Sequence, residues 1–223
     1  GLAQVNKINA DGWYGSHYGS YKHVNAENLK EMERHSEFTD IGRMGILGMA
    51  DAPKDIQLVF VDPAVQEMKN MEEILIEGGY PKSGNEIAAQ AGLFKALGME
   101  NPKVGEEIEI SYRTDMNSTF KTGTFTISGI IKQPEAGYDI KSFMGYVSEE
   151  YYESVIPEEN RSYRAFFRLD ESVGLTVKNS EEIMGSLAAE CGIDERFVSV
   201  NNLYLKWKLN PGIDVIMSCV MIA

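Results

Sequence analysis

Cysteine and histidine are almost missing from the chain, which has two of the first and three of the second in 223 residues. The cysteines, Cys191 and Cys219, stand far apart and form no CxxC pair, so neither a disulfide scaffold nor a thiol metal site is suggested. His17, His23 and His35 carry no HExxH spacing and read as strand-face or exposed residues rather than metal ligands or bases. No GxxxxGK[ST] phosphate loop and no GxSxG elbow occurs, which removes P-loop nucleotide binding and the hydrolase nucleophile. Basic residues are scarce, 21 against 34 acidic, and the net charge of −13 would repel a nucleic-acid backbone. The adjacent acids Glu149-Glu150 and Glu158-Glu159 are the kind that solvent usually covers. No cofactor, metal or enzymatic activity is therefore expected.

Long apolar runs are lacking as well. The N-terminal segment GLAQVNKINADG has no apolar core of a secretory signal. The apolar stretch from Ile213 is shorter than the roughly 20 residues that cross a bilayer, and it follows Trp207 set between Lys206 and Lys208. An aromatic between basic residues suits a membrane interface, so residues 211–223 are expected to begin a truncated transmembrane segment. The alternative is a C-terminal core element of an ordinary soluble domain.

What is present is a mixed α and β pattern. Residues 12–24 contain a near-repeat, Tyr14-Gly15-Ser16 and Tyr18-Gly19-Ser20. Read as a strand, it puts Tyr14 and Tyr18 on one face and Trp13, His17 and Tyr21 on the other. Asn25 caps a helix running to His35, with Val24 and Leu29 placed for a hydrophobic staple. Phe38–Met49 and Ile56–Val61 follow as strands, the second ending at Pro63. The middle of the chain is a Gly/Pro turn, a short strand, a short helix ending at Gly98, and more strand, with a hairpin or strand pair in 119–133. Ser148 caps a helix stopped at Pro157, 162–170 is a strand, Asn179 or Ser180 caps a helix ended by Gly192, and Phe197–Trp207 is the closing strand. The expected fold class is α+β: a main α/β part from 1–65 and 148–210, and an inserted β-rich subdomain over 66–147.

Two segments carry a resemblance, 75–110 and 125–134. Gly78-Gly79-Tyr80-Pro81, Glu86-Ile87, Leu97-Gly98, Val104-Gly105-Glu106-Glu107-Ile108 and Phe125-Thr126-Ile127-Ser128-Gly129-Ile130 come in an order that resembles the extracytoplasmic domain of MacB/FtsX-like ABC transporter permeases. The departures are Gly79 or Tyr80, where the family often has Arg, and Glu106, where Asp is common. The motif residues Gly78, Gly79, Pro81, Glu86, Gly98, Gly105 and Gly129 are expected to be structural, serving turns and close approaches. The resemblance implies a MacB periplasmic-core-like fold standing on transmembrane helices at the bacterial plasma membrane, on its extracytoplasmic side. It also implies a separate ABC ATPase as partner and an extracellular peptide, lipid or protein as ligand. The competing readings are a membrane-anchored ligand-binding or adhesion domain and a secreted enzyme of unknown mechanism. Trp13, Tyr14, Tyr18 and Tyr21 are the candidate partner contacts, because rings spaced by Gly and Ser offer rigid stacking area. Core or interdomain packing is the other use for them.

Overall fold

The computed structural model describes residues 15–133 and 142–209. Trp13, Tyr14 and the apolar tail from 211 lie outside the described residues. The chain divides into two compact units, the first from 15–43, 63–73 and 162–209, the second from 44–62, 74–133 and 142–161.

The first unit is a small antiparallel sheet with helices. Strand β1 (Gly19–Val24) lies between β10 (Val198–Val200) and β9 (Tyr163–Leu169), and β9 in turn neighbours β2 (Phe38–Ala50). Helix α1 (Ala26–Arg34) starts with a full capping box: Asn25 Oδ1 accepts from the Asn28 amide and Asn28 Oδ1 accepts from the Asn25 amide. Two of the otherwise unpaired N-terminal groups are satisfied that way. Pro63 opens α2 (Pro63–Met68), where its missing N–H costs nothing. Helix α5 (Ser180–Glu190) covers the inner face of β1, and Asn28 Nδ2 ties α1 to it by donating to Cys191 O and Gly192 O.

The second unit closes on itself. β2 pairs with β3 (Asp55–Val61), β3 with β8 (Ser142–Val147), β8 with β5 (Glu86–Gln90), β5 with β7 (Lys121–Ile131), β7 with β6 (Glu107–Arg113), and β6 returns to β2 through Met49–Arg113 and Ala50–Tyr112. A cycle of six strands leaves few open edges. Strand β4 (Leu75–Gly78) adds to β7 outside the cycle. Leu47, Ile56, Phe60, Ile87, Phe125 and Ile127 are fully buried, as are Leu93 and Phe94 of α3 (Ala91–Ala96). Helix α4 (Glu149–Val155), capped by the Ser148 hydroxyl, lays Tyr152 on Phe60 at 4.7 Å between ring centroids.

The architecture is α+β, as expected, and four details differ from the sequence reading. Residues 44–62 and 148–161, placed there in the main part, belong to the second unit, and 66–73 belongs to the first. A strand goes where its ladder partners are: β3 runs parallel to β8 over 55–59, and Tyr152 follows Phe60. Segment 119–133 holds one long strand, whose hairpin partner is β6. The expected closing strand stops at Val200 and gives way to helix α6 (Asn202–Leu209). Asn201 breaks it: its Nδ2 donates to the carbonyls of Gly15 and His17, and its Oδ1 accepts from the Tyr204 amide in the manner of a helix cap. Finally, β1 begins only at Gly19, so the strand phase expected through 15–18 does not hold, and 12–14 lie outside the described residues.

Candidate functional site

The aromatic segment separates into two fates. Tyr21 is fully buried, its hydroxyl donating to Met184 O at 2.6 Å and its ring 4.5 Å from Phe167. Its expected role as a partner contact is thereby corrected: a strand residue directly across from Ala165 faces the helix-covered side, and burial pushes its phenol far above the ordinary range. Tyr18 is half-buried and packs 6.1 Å from Tyr204, whose ring meets Trp207 at 5.7 Å. Helical spacing of three puts Tyr204 and Trp207 on one side of α6, a pairing that a strand reading of 197–207 hides.

The other face of β1 and β9 is polar and basic. Arg164, Phe166 and Arg168 alternate outward along β9, and Ser20 sits opposite Phe166. Arg168 is fully engaged. Its Nε donates to Ser16 O at 3.0 Å and Nη2 to the Ser16 hydroxyl, while Nη1 meets Glu67 at 3.0 Å and Asp40 at 3.5 Å. These carboxylates hold the guanidinium charged against the desolvation that opposes it. Arg164 is bound differently, through Nε to the Ser20 hydroxyl at 3.0 Å. Its guanidinium carbon lies 5.1 Å from the Phe166 centroid, and Lys69 Nζ lies 4.9 Å from the same ring.

His17 turns its ring edge to Phe166 at 5.0 Å and is 8% exposed, with no hydrogen-bond partner for Nδ1. Burial first, then the charges of Lys69, Arg164 and Arg168, lower its value from 6.5 to about 3. Its native value lies below the unfolded one, so the unfolded chain takes up the proton first. Stability present above pH 6.5 is therefore lost as pH falls toward 3. From pH 7 to pH 5 this group alone should remove about 2 kcal/mol. Urea titrations of the wild type and of His17→Gln at both pH values check this, since carboxylate effects are common to the two. Equal losses would contradict it.

The motif glycines lie in the second unit. Gly78 has φ +71°, and a Cβ there would run into Ser128 O, while a Cβ on Gly129 would approach Gly79 O to 2.5 Å. The Gly79 amide donates to Ser128 O at 2.8 Å. The four residues let two backbones touch where β4 leaves β7. Gly105 donates its amide to Ile127 O, Gly98 follows α3 at φ +96°, Pro81 lies between β4 and β5, and Glu86 accepts from the Ser83 amide at 3.2 Å.

Each unit also has an open groove. One, of about 570 Å³ in the first unit, is lined by Glu37, Asn179, Glu182, Ile183 and Ser186 among others. The other, of about 520 Å³ in the second, is lined by Met49, Gln57, Ile74, Gln90, Met144 and Tyr146 among others. Among the described residues no group of three or more His, Cys, Asp or Glu is placed to hold a metal ion. No helix among them is long and apolar enough to cross a membrane.

The fold is shared with solved transporter domains. The periplasmic region of MacB from Actinobacillus actinomycetemcomitans is similar over 91% of this chain and 96% of its own, with a TM-score of 0.54 at 10% identity. The extracellular domain of the noncanonic ABC-type transporter YknZ from Gram-positive bacteria is similar over 82% of this chain and 98% of its own, with a TM-score of 0.53 at 10% identity. No protein-family model and no curated protein matches the chain. At this identity the likeness establishes the fold, that of the MacB periplasmic region.

Proposed function

We propose that the chain is the extracytoplasmic domain of a bacterial ABC transporter permease, a non-enzymatic module. It engages a substrate or partner outside the membrane and relays conformational change driven by a separate ATPase. The observation that carries this reading is the likeness to the periplasmic region of MacB across 91% of the chain. The signature glycines support it, because Gly78 and Gly129 stand at a backbone crossing that side chains would block. With no phosphate loop in the sequence, ATP hydrolysis belongs to another chain or domain. In this reading the domain is fused to membrane helices at both ends and moves as they move.

Sidedness is the test. Asn117 is exposed in the β6–β7 connection, and a full-length protein carrying Asn117→Cys and Cys219→Ser, with every cysteine outside these 223 residues replaced by Ser, offers one reactive thiol. The remaining Cys191 is buried, and burial followed by Glu190, Glu31 and Glu37 pushes its thiol up to about 11, leaving little thiolate near neutrality. A membrane-impermeant maleimide should label intact spheroplasts at position 117 and leave the parent with Asn117 unlabelled. Labelling that needs lysis would place the domain inside and overturn the reading.

A further inference from the structure

We infer that Lys69 and Arg164, gathered at the Phe166 ring with the Ser20 hydroxyl beside them, form a binding site for a small oxyanion of the phosphate class.

Three observations lead there. Acidic residues outnumber basic ones 34 to 21, yet among the described residues neither Lys69 nor Arg164 is ion-paired to a carboxylate. Arg168, four residues along the same strand and on the same face as Arg164, meets both Glu67 and Asp40. Both cations also meet the same ring. Lys69 Nζ and the Arg164 guanidinium carbon sit 4.9 Å and 5.1 Å from the same ring centroid, and neither side chain is freely exposed. Two like charges that share one ring and feel each other, partly out of water, are unfavourable unless an anion joins them. Burial and then Arg164 depress the Lys69 ammonium, and burial depresses the Arg164 guanidinium.

The third observation is donor geometry. Arg164 uses Nε on the Ser20 hydroxyl, and no terminal guanidinium nitrogen has a hydrogen-bond partner among the described residues. Those nitrogens, the three ammonium protons and the seryl hydroxyl supply the donors that a tetrahedral oxyanion takes up. His17, neutral at ordinary pH, adds no competing charge. Phe166 fixes both cations by its face and, at 2% exposure, gives them an apolar floor that strengthens their field.

The chemistry is the same for a free phosphate and for a phosphate carried on a lipid headgroup, and the experiment separates them. Calorimetry of the 223-residue chain with inorganic phosphate at low ionic strength is expected to show one saturable site. Lys69→Gln and Arg164→Gln should each weaken it at least tenfold, whereas Lys178→Gln, at an exposed lysine just before α5, should leave it unchanged. In parallel, sedimentation with phosphatidylcholine vesicles, with and without phosphatidylglycerol, reads the headgroup. Phosphate binding without vesicle retention assigns the free anion, and retention on phosphatidylglycerol that Lys69→Gln abolishes assigns the headgroup. Absence of both, or an equal loss in Lys178→Gln, overturns the inference. Lys69 lies outside the sheet, so Lys69→Gln gives a clean reading even if Arg164→Gln loosens β9. None of these results depends on whether the chain serves a transporter, so this inference and the permease reading fail separately.

Discussion

Tyr21→Ala is expected to lower the unfolding free energy of the first unit by about 3–5 kcal/mol, the cost of removing a large ring from a closed core. Tyr21 is 0% exposed and packs against Phe167 and Phe38, at 4.5 and 6.2 Å between centroids. Gly19, next but one in β1, makes room for this cluster, since a Cβ there would come within 2.7 Å of Met184 Sδ. Tyr21→Phe keeps the ring and removes only the hydrogen bond to Met184 O, so it should cost about 1–2 kcal/mol. Denaturant titration followed by near-ultraviolet circular dichroism distinguishes the two. A Tyr21→Ala protein as stable as the wild type would mean that the tyrosine is exposed in solution and restore it as a surface contact.

Gly78→Ala should destabilise the second unit by about 2–6 kcal/mol, combining a positive-φ penalty of about 1–3 kcal/mol with overpacking of about 1–3 kcal/mol. The residue has φ +71°, and its added methyl would meet Ser128 O, a backbone atom that cannot swing aside. Its neighbour is the control. A Cβ on Gly79 meets nothing within 4 Å, so Gly79→Ala should stay within about 0.5 kcal/mol of wild type. Hydrogen exchange adds a local readout, because the Gly79 amide bonds Ser128 O and should lose protection in Gly78→Ala. Equal effects of the two substitutions would show that the β4–β7 contact in solution differs from the one described.

The two predictions also show why this chain is only partly legible. Asn25, Ser148, Gly98 and Gly192 announce helix ends because their bonds are made within a few residues of themselves. The signature glycines likewise stood out in sequence, although the reason for two of them, the touching backbones of 78–79 and 128–129, became visible only with β4 laid on β7.

Partnerships across long separations left no such mark. Tyr21 meets Met184 across 163 residues, so nothing near Tyr21 says whether its ring faces a helix or water. Lys69, in the turn after α2, reaches Phe166 on a strand nearly a hundred residues on, and neither residue type signals the other. The assignment of 44–62 to the second unit required knowing that β3 runs beside β8.

By itself the sequence determined the α+β class, the capped helices, the acidic surface charge and the lack of a phosphate loop, all properties of composition and short-range bonding. Tertiary structure alone decided which strands close the ring, which tyrosine is buried and which cations, among the described residues, have no carboxylate beside them. Ladder pairing and burial free energy depend on what folding brings together, and a linear pattern of residue types does not contain those distances.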